Sequence, residues 1–379
     1  MLKDAVAVLD IGSNKVTVMI GENGINQTFV IHSSCEILYA GYDENFFFSP
    51  SADGEIGIEE SVKNAIETVK RNSNIKINKI FVGVPGAFLK IVTKNHSNSY
   101  ENKIKISTRE IERFKTSGLV GIDNQDFSVI NSQVVYYVLS DGTKMTNPIG
   151  VKSVNLSGTL SYTLCKKEFI QLFEGVLQSC GIDKIVFVPS PLAECLYLFS
   201  QEKRKTFNAL LDVGYMSSTL SVVYHNGIVY QKSFPYGGGT IAGYIYQSLG
   251  FSDYKLFSVA EELSRKINLG LEGAEYYQCV QNGRLYKYPA TQINEYANQI
   301  IMDIAEEVSD SLELISQWLP AGTRINLTGG GISFIRGATG KLRDLLSRGV
   351  DIIAPNVPMF KQPNESSKLA LLDYALNSN

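Results

Sequence analysis

Two stretches far apart in the chain share one pattern: VLDIGSNKVTVMI at residues 8–20 and LLDVGYMSSTLSVV at residues 210–223. Each contains Leu, Asp, an apolar residue and Gly, followed by small polar residues and then an alternating apolar run. Alternation with a period of two predicts β-strands, and the glycine predicts a tight turn between them. The chain therefore carries the same strand–turn–strand pattern twice.

Length and composition limit the class of protein. The 379 residues are 44% hydrophobic and 19% charged, with a mean hydropathy near zero, which predicts a globular protein of two to three domains. The net charge is −3 without a run of basic residues, so nucleic-acid binding is not expected. The sequence lacks a run of eighteen apolar residues and a signal-peptide pattern, and we expect a cytoplasmic protein.

The residue types at both glycine turns suit phosphate binding. Backbone N–H groups and a hydroxyl at the first turn, from Gly12 and Ser13, can point at a phosphate, and Asp10 could hold Mg²⁺ through water. The second turn offers equivalent groups: Asp212, Gly214, Ser217 and Ser218. Two such hairpins facing each other would form a phosphate clamp at a domain interface, where ligand sites are common.

A third glycine-rich segment, LTGGGISFIRG, lies at residues 327–337. We expect a strand, a glycine turn and the start of a helix there. Gly329, Gly330 and Gly331 would let the backbone approach a flat ligand closely, and a helix N-terminus favours anions. Each segment alone also fits an ordinary hairpin with a bulge glycine, whereas the three together point to a ligand site.

The order of these segments resembles that of the actin-like ATPase superfamily, which includes heat-shock chaperones and sugar kinases. In that superfamily they are the phosphate-1, phosphate-2 and adenosine motifs. The resemblance implies an α/β fold of duplicated actin-like, ribonuclease H-like ATPase domains. It also implies ATP and Mg²⁺ between the two copies, with Mg²⁺ held by Asp10 and Asp212 through water and with Lys15 among the nucleotide-binding residues.

Closer similarity is to FtsA, the actin-like family of bacterial cell division. It is carried by KINKIFVGVPGAFLK (76–90), GTKMTNPIGVKSVNLSGTLSYTL (142–164), FPYGGGTIAGYI (234–245) and KLALLDYAL (368–376). The resemblance implies a small inserted α+β subdomain, 1C, in the first half. The predicted subdomains are 1A (1–86 and 164–205), 1C (87–163), 2A (206–240 and 320–379) and 2B (241–319).

Membership of this family would imply a scaffold rather than an enzyme. Such a protein would bind ATP, form protofilaments with itself and link the tubulin-like FtsZ to the envelope at the division septum. The resemblance places FtsZ contacts in subdomain 2B and contacts with other division proteins in 1C. We expect a peripheral location at the inner face of the membrane. Membrane contact is expected to be indirect, because residues 366–376 read as a core-packing helix and carry no basic polar face.

The second phosphate loop departs from the family pattern. Relatives have two glycines where this chain has Tyr215 and Met216, and an acid where it has Thr219. Bulk at these positions is expected to crowd a γ-phosphate. We therefore expect ATP hydrolysis to be slow or absent, so that the chain would be at most a weak ATPase. A protein that has lost nucleotide binding altogether stays open as an alternative, because of Tyr215 and Met216.

Two further departures concern residues around the ligand. Ser190 stands where relatives often carry an acid that orients the attacking water, which leaves the nearby Glu194 as the candidate catalytic residue. Glu261 and Arg265 are candidates for ribose and adenine contacts, although Ser264 replaces a lysine that is common in relatives.

Two alternative functions stay open on sequence grounds. A pilus-assembly adaptor similar to PilM would share the inserted subdomain and would bind a peptide of a membrane protein. A sugar-kinase-like phosphotransferase is less favoured, because it needs a general base opposite the substrate hydroxyl and no acid stands clearly in that position.

Overall fold

The structure is a computed structural model and describes residues 5–25, 28–48, 55–122, 125–251, 256–271, 273–281 and 283–378. The strands are β1 Val6–Ile11, β2 Lys15–Asn23, β3 Phe29–Leu38, β4 Lys79–Val84, β5 Leu89–Lys105, β6 Phe127–Leu139, β7 Lys144–Met145, β8 Lys152–Lys166, β9 Lys184–Pro189, β10 Asn208–Val213, β11 Ser218–Tyr224, β12 Gly227–Phe234, β13 Tyr276–Gln281, β14 Arg284–Pro289, β15 Ile325–Thr328 and β16 Val350–Ile352. The helices are α1 Ile58–Ser73, α2 Thr108–Ser117, α3 Lys167–Ser179, α4 Ser190–Leu198, α5 Gly238–Ser248, α6 Phe257–Arg265, α7 Ala290–Leu314, α8 Ala338–Leu346 and α9 Ser366–Asn377.

The two halves of the chain contain the same sheet. The strand order is β3-β2-β1-β4-β9 in the first half and β12-β11-β10-β15-β16 in the second. In each sheet the first three strands in chain order pair antiparallel. The fourth strand pairs parallel with the first, and the fifth pairs parallel with the fourth. The predicted duplicated α/β fold is confirmed.

The duplication extends to the register of the two quoted hairpins. Asp10 of β1 is paired with Thr17 of β2, and Asp212 of β10 is paired with Thr219 of β11. Each aspartate is the penultimate residue of its strand, one position before the last ladder pair. The two carboxyl groups therefore occupy equivalent places, at the carboxyl end of the strand beside the turn.

Alternation along β1 determines where Asp10 points. Ala7 and Leu9 pack in the core formed with α1 and α3, and Val6 and Val8 pack on the opposite face against α9. Successive side chains of a strand lie on opposite faces, so Asp10 lies on the face of Val6 and Val8. Asp10 therefore faces the inside of the molecule, toward the second half.

Helix α4 lies between the two sheets. Ala193 belongs to the core cluster of Val8 on the first sheet, and Cys195 packs with Leu210 of the second sheet. Leu210 shares a strand face with Asp212, which follows it by two residues. Glu194, between Ala193 and Cys195, is thereby brought to the carboxyl ends of both β1 and β10.

An inserted α+β unit follows β4 and has its own core. Its sheet has the order β5-β8-β6-β7 and is covered by α2, with Phe114, Leu160 and Tyr162 buried between them. The unit contacts the second half, where Ser161 Oγ donates a hydrogen bond of 2.6 Å to the carbonyl oxygen of Ile228. The small α+β insertion in the first half is confirmed, while the exact subdomain boundaries stay a prediction.

The region 241–319 contains a hairpin besides its helices. Strands β13 and β14 pair antiparallel between α6 and α7. Tyr277 and Cys279 are buried in the core of the second half, whereas the alternating residues Tyr276 and Val280 are exposed.

The expected helix start directly after the glycine turn is wrong. Helix α8 begins only at Ala338, after Gly337 in the left-handed region with a φ of 91°. The intervening Ile332 and Ile335 are buried in the core of the second half, while Arg336 forms an isolated β-bridge with Asn268, so the segment does not continue as a helix. Within the described residues, no helix N-terminus therefore lies directly after Gly331.

The last helix, α9, packs on the first sheet although the chain reaches it from the second. Leu371 and Leu372 are fully buried there with Val6 and Val8. This confirms the expectation of a core-packing helix at residues 366–376. Across the described part of the chain, none of the helices combines the length and hydrophobicity needed to cross a bilayer.

Replacing Leu372 by alanine is expected to lower the free energy of unfolding by about 2–5 kcal/mol, the usual cost of a Leu→Ala cavity in a core. Chemical denaturation measures this loss. Leu314→Ala is the matched control, because Leu314 is 69% exposed and its truncation should change stability by less than about 0.5 kcal/mol. Equal effects of the two variants would show that α9 is not part of the core.

Candidate functional site

A cavity of about 430 Å³ lies between the two sheets, at the carboxyl ends of β1 and β10. Its walls come from both hairpin turns, from α4, from the glycine turn after β15 and from the first turn of α9. The predicted site residues that line it are Asp10, Gly12, Ser13, Lys15, Glu194, Asp212, Gly214, Ser217, Arg265, Gly329 and Gly330.

Three predicted site residues lie outside this lining. Ser218 is buried and its hydroxyl donates a hydrogen bond of 2.6 Å to the carbonyl oxygen of Tyr236. Gly331 packs against the second hairpin, where its N–H donates to the carbonyl oxygen of Val213 at 2.7 Å. Glu261 of α6 lies behind the side chain of Tyr215. The direct ligand contacts predicted for Ser218 and Gly331 are not supported by these positions.

The two hairpin turns have the same backbone geometry. The N–H of Gly12 donates to the carbonyl oxygen of Lys15, and the N–H of Gly214 donates to that of Ser217, both at 2.9 Å. A Cβ atom at Gly214 would lie 2.8 Å from the Ser217 carbonyl oxygen, so only glycine fits this turn.

Three carboxyl groups, those of Asp10, Asp212 and Glu194, line the cavity. Burial raises the pKa of Asp10, although a hydrogen bond of 2.6 Å from Ser367 partly opposes this shift. Burial, and then the charge of Asp10, raise the pKa of Asp212 to about 7. Burial, followed by the charges of both aspartates, raises the pKa of Glu194 well above its ordinary value. A nearby cation would stabilise the ionised forms.

The nearby lysines are engaged with other acids. Lys15 Nζ lies 2.8 Å from Glu36 Oε2, and Lys368 Nζ lies 2.9 Å from Glu365 Oε2. An anionic ligand entering beside three carboxyl groups would meet strong repulsion unless it brought a cation of its own. The electrostatics thus suit a phosphate group that is bound together with a divalent metal ion.

The fit to a metal ion can be tested on individual atoms. Glu194 is 2% exposed, and its Oε1 and the Oγ of Ser190 find no hydrogen-bond partner among the described residues. No three acidic, histidine or cysteine side chains of the described chain converge closely enough to hold a metal ion directly. Mg²⁺ bridged by water and phosphate oxygens would fit this arrangement.

Tyr215 takes a different course from the one expected. Its ring lies against Gly239 at the start of α5, and its hydroxyl donates a hydrogen bond of 2.5 Å to Glu261 Oε1. Tyr215 lines the cavity and thereby covers Glu261. The side chain thus extends toward α6, rather than toward the carboxyl groups where a γ-phosphate was expected to be crowded.

Ser13 links the two hairpins. The N–H of Met216 donates a hydrogen bond of 2.8 Å to Ser13 Oγ, across a separation of 203 residues. The predicted phosphate-binding hydroxyl of the first turn therefore contacts the second turn directly. The two halves are joined at the point where a phosphate clamp would close.

Comparison with known proteins finds FtsA sequences among the relatives. The cell-division protein FtsA of Bacillus subtilis is 22% identical over 97% of this chain and 82% of that protein. FtsA of Pseudomonas aeruginosa is 20% identical over 97% of this chain and 88% of that protein. No family model matches the sequence.

Solved structures share the fold over the whole chain. The PilM–PilN type IV pilus biogenesis complex gives a TM-score of 0.66 at 13% identity, over 98% of both chains. MreB5 of Spiroplasma citri bound to AMPPNP gives a TM-score of 0.54 at 12% identity, over 99% of this chain and 96% of that one. This is an FtsA-like protein with an actin-type fold. The expected family resemblance and fold class are both confirmed.

Sequence reasoning missed several residues that shape the cleft of the FtsA-like protein. Tyr39 donates a hydrogen bond of 2.6 Å to the carbonyl oxygen of Gly12, and Ser367 donates to Asp10. Tyr42 and Phe334 also line the cavity. These contacts join segments that are distant in sequence, so no local pattern marked them.

The raised pKa values predict a pH dependence for the ligand-free protein. A carboxyl group whose pKa is higher in the folded than in the unfolded state keeps its proton on folding, so stability falls as pH rises from about 4 toward about 7. The part of this pH-dependent loss of stability that comes from Asp212 is expected to be absent in Asp212→Asn. The stability difference between the two proteins, measured by denaturation at each pH, should grow with pH. A constant difference would contradict the predicted shift.

Proposed function

We propose that this protein is an actin-like scaffold of bacterial cell division that binds ATP with Mg²⁺ in the cleft between its two sheets. The observation that carries the proposal is the pair of equivalent hairpins. Asp10 and Asp212 stand in the same register, beside turns of the same geometry, and face one cavity. The proposed role in cell division rests on the similarity to the cell-division protein FtsA of two bacteria.

The phosphate end of the nucleotide would lie between the two turns. The tips at Gly12 and Gly214 would approach the phosphate oxygens, with the Ser217 hydroxyl beside them. Asp10 and Asp212 would hold Mg²⁺ through water, which would relieve the repulsion between their carboxylates. The bound ion would neutralise phosphate charge, and the side chains would fix its place between the two halves.

The glycine turn and α6 would receive the rest of the nucleotide. Gly329 and Gly330 offer backbone without side chains, and half-exposed Phe334 offers a flat apolar surface. A pairing of Asn268 with Arg336 joins the end of α6 to this segment, so Arg265 lies at the same end of the cavity. The solved relative MreB5 is bound to AMPPNP in one structure and to ADP in another, which supports nucleotide as the ligand class.

Hydrolysis is proposed to be slow or absent. Glu194 is the nearest candidate to orient water, but its strongly raised pKa favours the protonated form, which cannot accept a proton. Ser190, at the position where the family resemblance implies an acid, carries only a hydroxyl. Bound ATP would then act mainly as a switch that sets the relation between the two halves.

The scaffold function is proposed on the basis of the FtsA likeness. The protein would assemble with itself into protofilaments and link an FtsZ-like tubulin homologue to the envelope. FtsZ contacts are proposed in the 241–319 region, and contacts with other division proteins in the inserted unit around β5, β6 and β8. The filament-forming MamK, solved as a double helical filament, shares the fold with a TM-score of 0.50.

Co-sedimentation tests the scaffold proposal. The protein is mixed with FtsZ from the same organism, and FtsZ polymers formed with GTP are pelleted. The protein is expected in the pellet with GTP and in the supernatant with GDP. If it stays in the supernatant under both conditions, the link to FtsZ is wrong.

A fluorescent fusion in cells separates this proposal from the pilus-adaptor alternative. A band at the division septum supports the cell-division scaffold. Foci that coincide with pilus machinery and avoid the septum would instead support the adaptor.

A further inference from the structure

Tyr215 occupies the side of the cleft that faces α6. Its ring lies against the backbone of Gly239, where an added Cβ atom would come within 2.5–2.7 Å of three ring carbons. The Gly239 N–H also donates to the Tyr215 carbonyl oxygen at 2.7 Å. Backbone and ring are therefore both held at the N-terminus of α5, so the tyrosine has a fitted position rather than a free one.

The Tyr215 hydroxyl uses the acceptor that α6 would otherwise present to a ligand. It donates to Glu261 Oε1 at 2.5 Å, while Glu261 Oε2 lies 3.8 Å from Arg265 Nη2. Burial and the bond to Glu261 raise the pKa of the phenol, so it keeps its proton and remains a donor. Both oxygens of this carboxylate thus have partners within the chain.

A carboxylate at this end of a ligand cavity is suited to the hydroxyl groups of a sugar, because it accepts hydrogen bonds only. The sugar hydroxyl and the tyrosine hydroxyl are the same kind of donor and compete for the same oxygen. Arg265, 76% exposed in its side chain, and Phe334, 50% exposed, remain at this end to meet a ligand. A guanidinium suits phosphate charge and a phenyl ring suits a flat base.

We propose that Tyr215 takes the place of the sugar hydroxyl at Glu261, so that this cleft selects its ligand by the metal–polyphosphate part and does not distinguish ribonucleotides from deoxyribonucleotides. The inference rests on the proposed binding of Mg–nucleotide in the cleft. Tyr215 is on this view a specificity-determining residue. Removing its hydroxyl frees Glu261 to accept a hydrogen bond from a sugar hydroxyl.

The test compares affinities for ATP, 2′-deoxy-ATP, 3′-deoxy-ATP and tripolyphosphate, each with Mg²⁺, for the natural protein and for Tyr215→Phe. The natural protein should bind the three nucleotides within about threefold of one another. Tyr215→Phe should prefer ATP to at least one deoxy analogue by about tenfold, as expected for one hydrogen bond to a charged group. Tyr244→Phe on α5 is the matched control. It removes the hydroxyl of a tyrosine that is 42% exposed, and it should leave the affinity ratios between ATP and its deoxy analogues unchanged.

Two results overturn the inference and leave the proposed function standing. One is a natural protein that already prefers ATP to both deoxy analogues by tenfold or more. The other is a Tyr215→Phe variant with unaltered ratios. If neither protein binds any of the four compounds, the inference and the proposed nucleotide site fall together. Binding of nucleotides by Tyr215→Phe alone, with a preference for ATP, would support the competition between tyrosine and sugar.

Discussion

Replacing Asp212 by asparagine is expected to weaken Mg–ATP binding by about 100-fold or more, a loss of roughly 2.7 kcal/mol of binding free energy. The reason is charge: the amide keeps the shape of the side chain but no longer attracts a hydrated metal ion. The same variant should make the ligand-free protein more stable at pH 8, by about 1–3 kcal/mol, because a carboxylate whose ionisation is opposed by burial and by Asp10 is gone. Titration calorimetry and chemical denaturation measure the two effects.

Opposite signs of the two effects are the distinctive part of this prediction. A substitution that damaged the fold would lower stability and binding together. Removing a metal-binding carboxylate should instead raise the stability of the free protein and weaken Mg–ATP binding. Asp310→Asn is the matched control, since Asp310 is exposed on α7 and lies outside the cavity lining. An Asp212→Asn protein that binds Mg–ATP normally would contradict the role given to this residue.

Replacing Gly329 by alanine is expected to destabilise the protein by about 2–5 kcal/mol and to remove nucleotide binding. Gly329 has a φ of +85°, and a left-handed conformation costs an L-residue about 1–2 kcal/mol. Its added Cβ would also lie 2.2 Å from Asp212 Oδ1 and 2.4 Å from the Val213 carbonyl oxygen, and such overpacking typically costs about 1–3 kcal/mol. Denaturation and calorimetry measure the two losses.

Gly243→Ala provides the control for this substitution. Gly243 lies within α5, and an added Cβ there meets no described atom within 4 Å. Alanine should stabilise the helix by up to about 1 kcal/mol and leave nucleotide binding unchanged. A Gly329→Ala protein as stable as Gly243→Ala would show that the glycine turn does not approach Asp212 so closely.

The sequence allowed the fold to be predicted because the duplicated pattern is local. The alternation around Asp10 and Asp212 and the glycines that follow determine strand, turn and register within about thirteen residues. Most of the residues that these patterns singled out line one cavity, since both aspartates lie near the ends of equivalent strands of equivalent sheets. Whether these residues bind nucleotide stays a prediction.

The course of side chains across the cleft could not be predicted in this way. Tyr215 was expected to crowd a phosphate, but the space above Gly239, 24 residues later, lets its ring reach Glu261. The position of Ser367 beside Asp10 depends on α9 returning to the first sheet, a contact over 357 residues. Such placements are decided by tertiary packing, which overrides local preference.

The same limit explains the mistaken helix after Gly331. Three glycines followed by apolar residues fit a helix start, but Arg336 pairs with Asn268 and Gly337 has a φ of 91°, so the helix begins only at Ala338. Neither hydrophobic periodicity nor glycine content carries information about that pairing.

The most direct test of the account is calorimetric titration of the natural protein with ATP, in the presence of Mg²⁺ and again in the presence of EDTA. We expect ATP to bind with Mg²⁺ in roughly the micromolar range. The repulsion among Asp10, Asp212 and Glu194 predicts binding at least about tenfold weaker without Mg²⁺. Equal binding in both conditions would contradict the metal-bridged phosphate site. Failure to bind ATP under either condition would contradict the nucleotide cleft itself and would leave the actin-type fold as a framework for partner proteins alone.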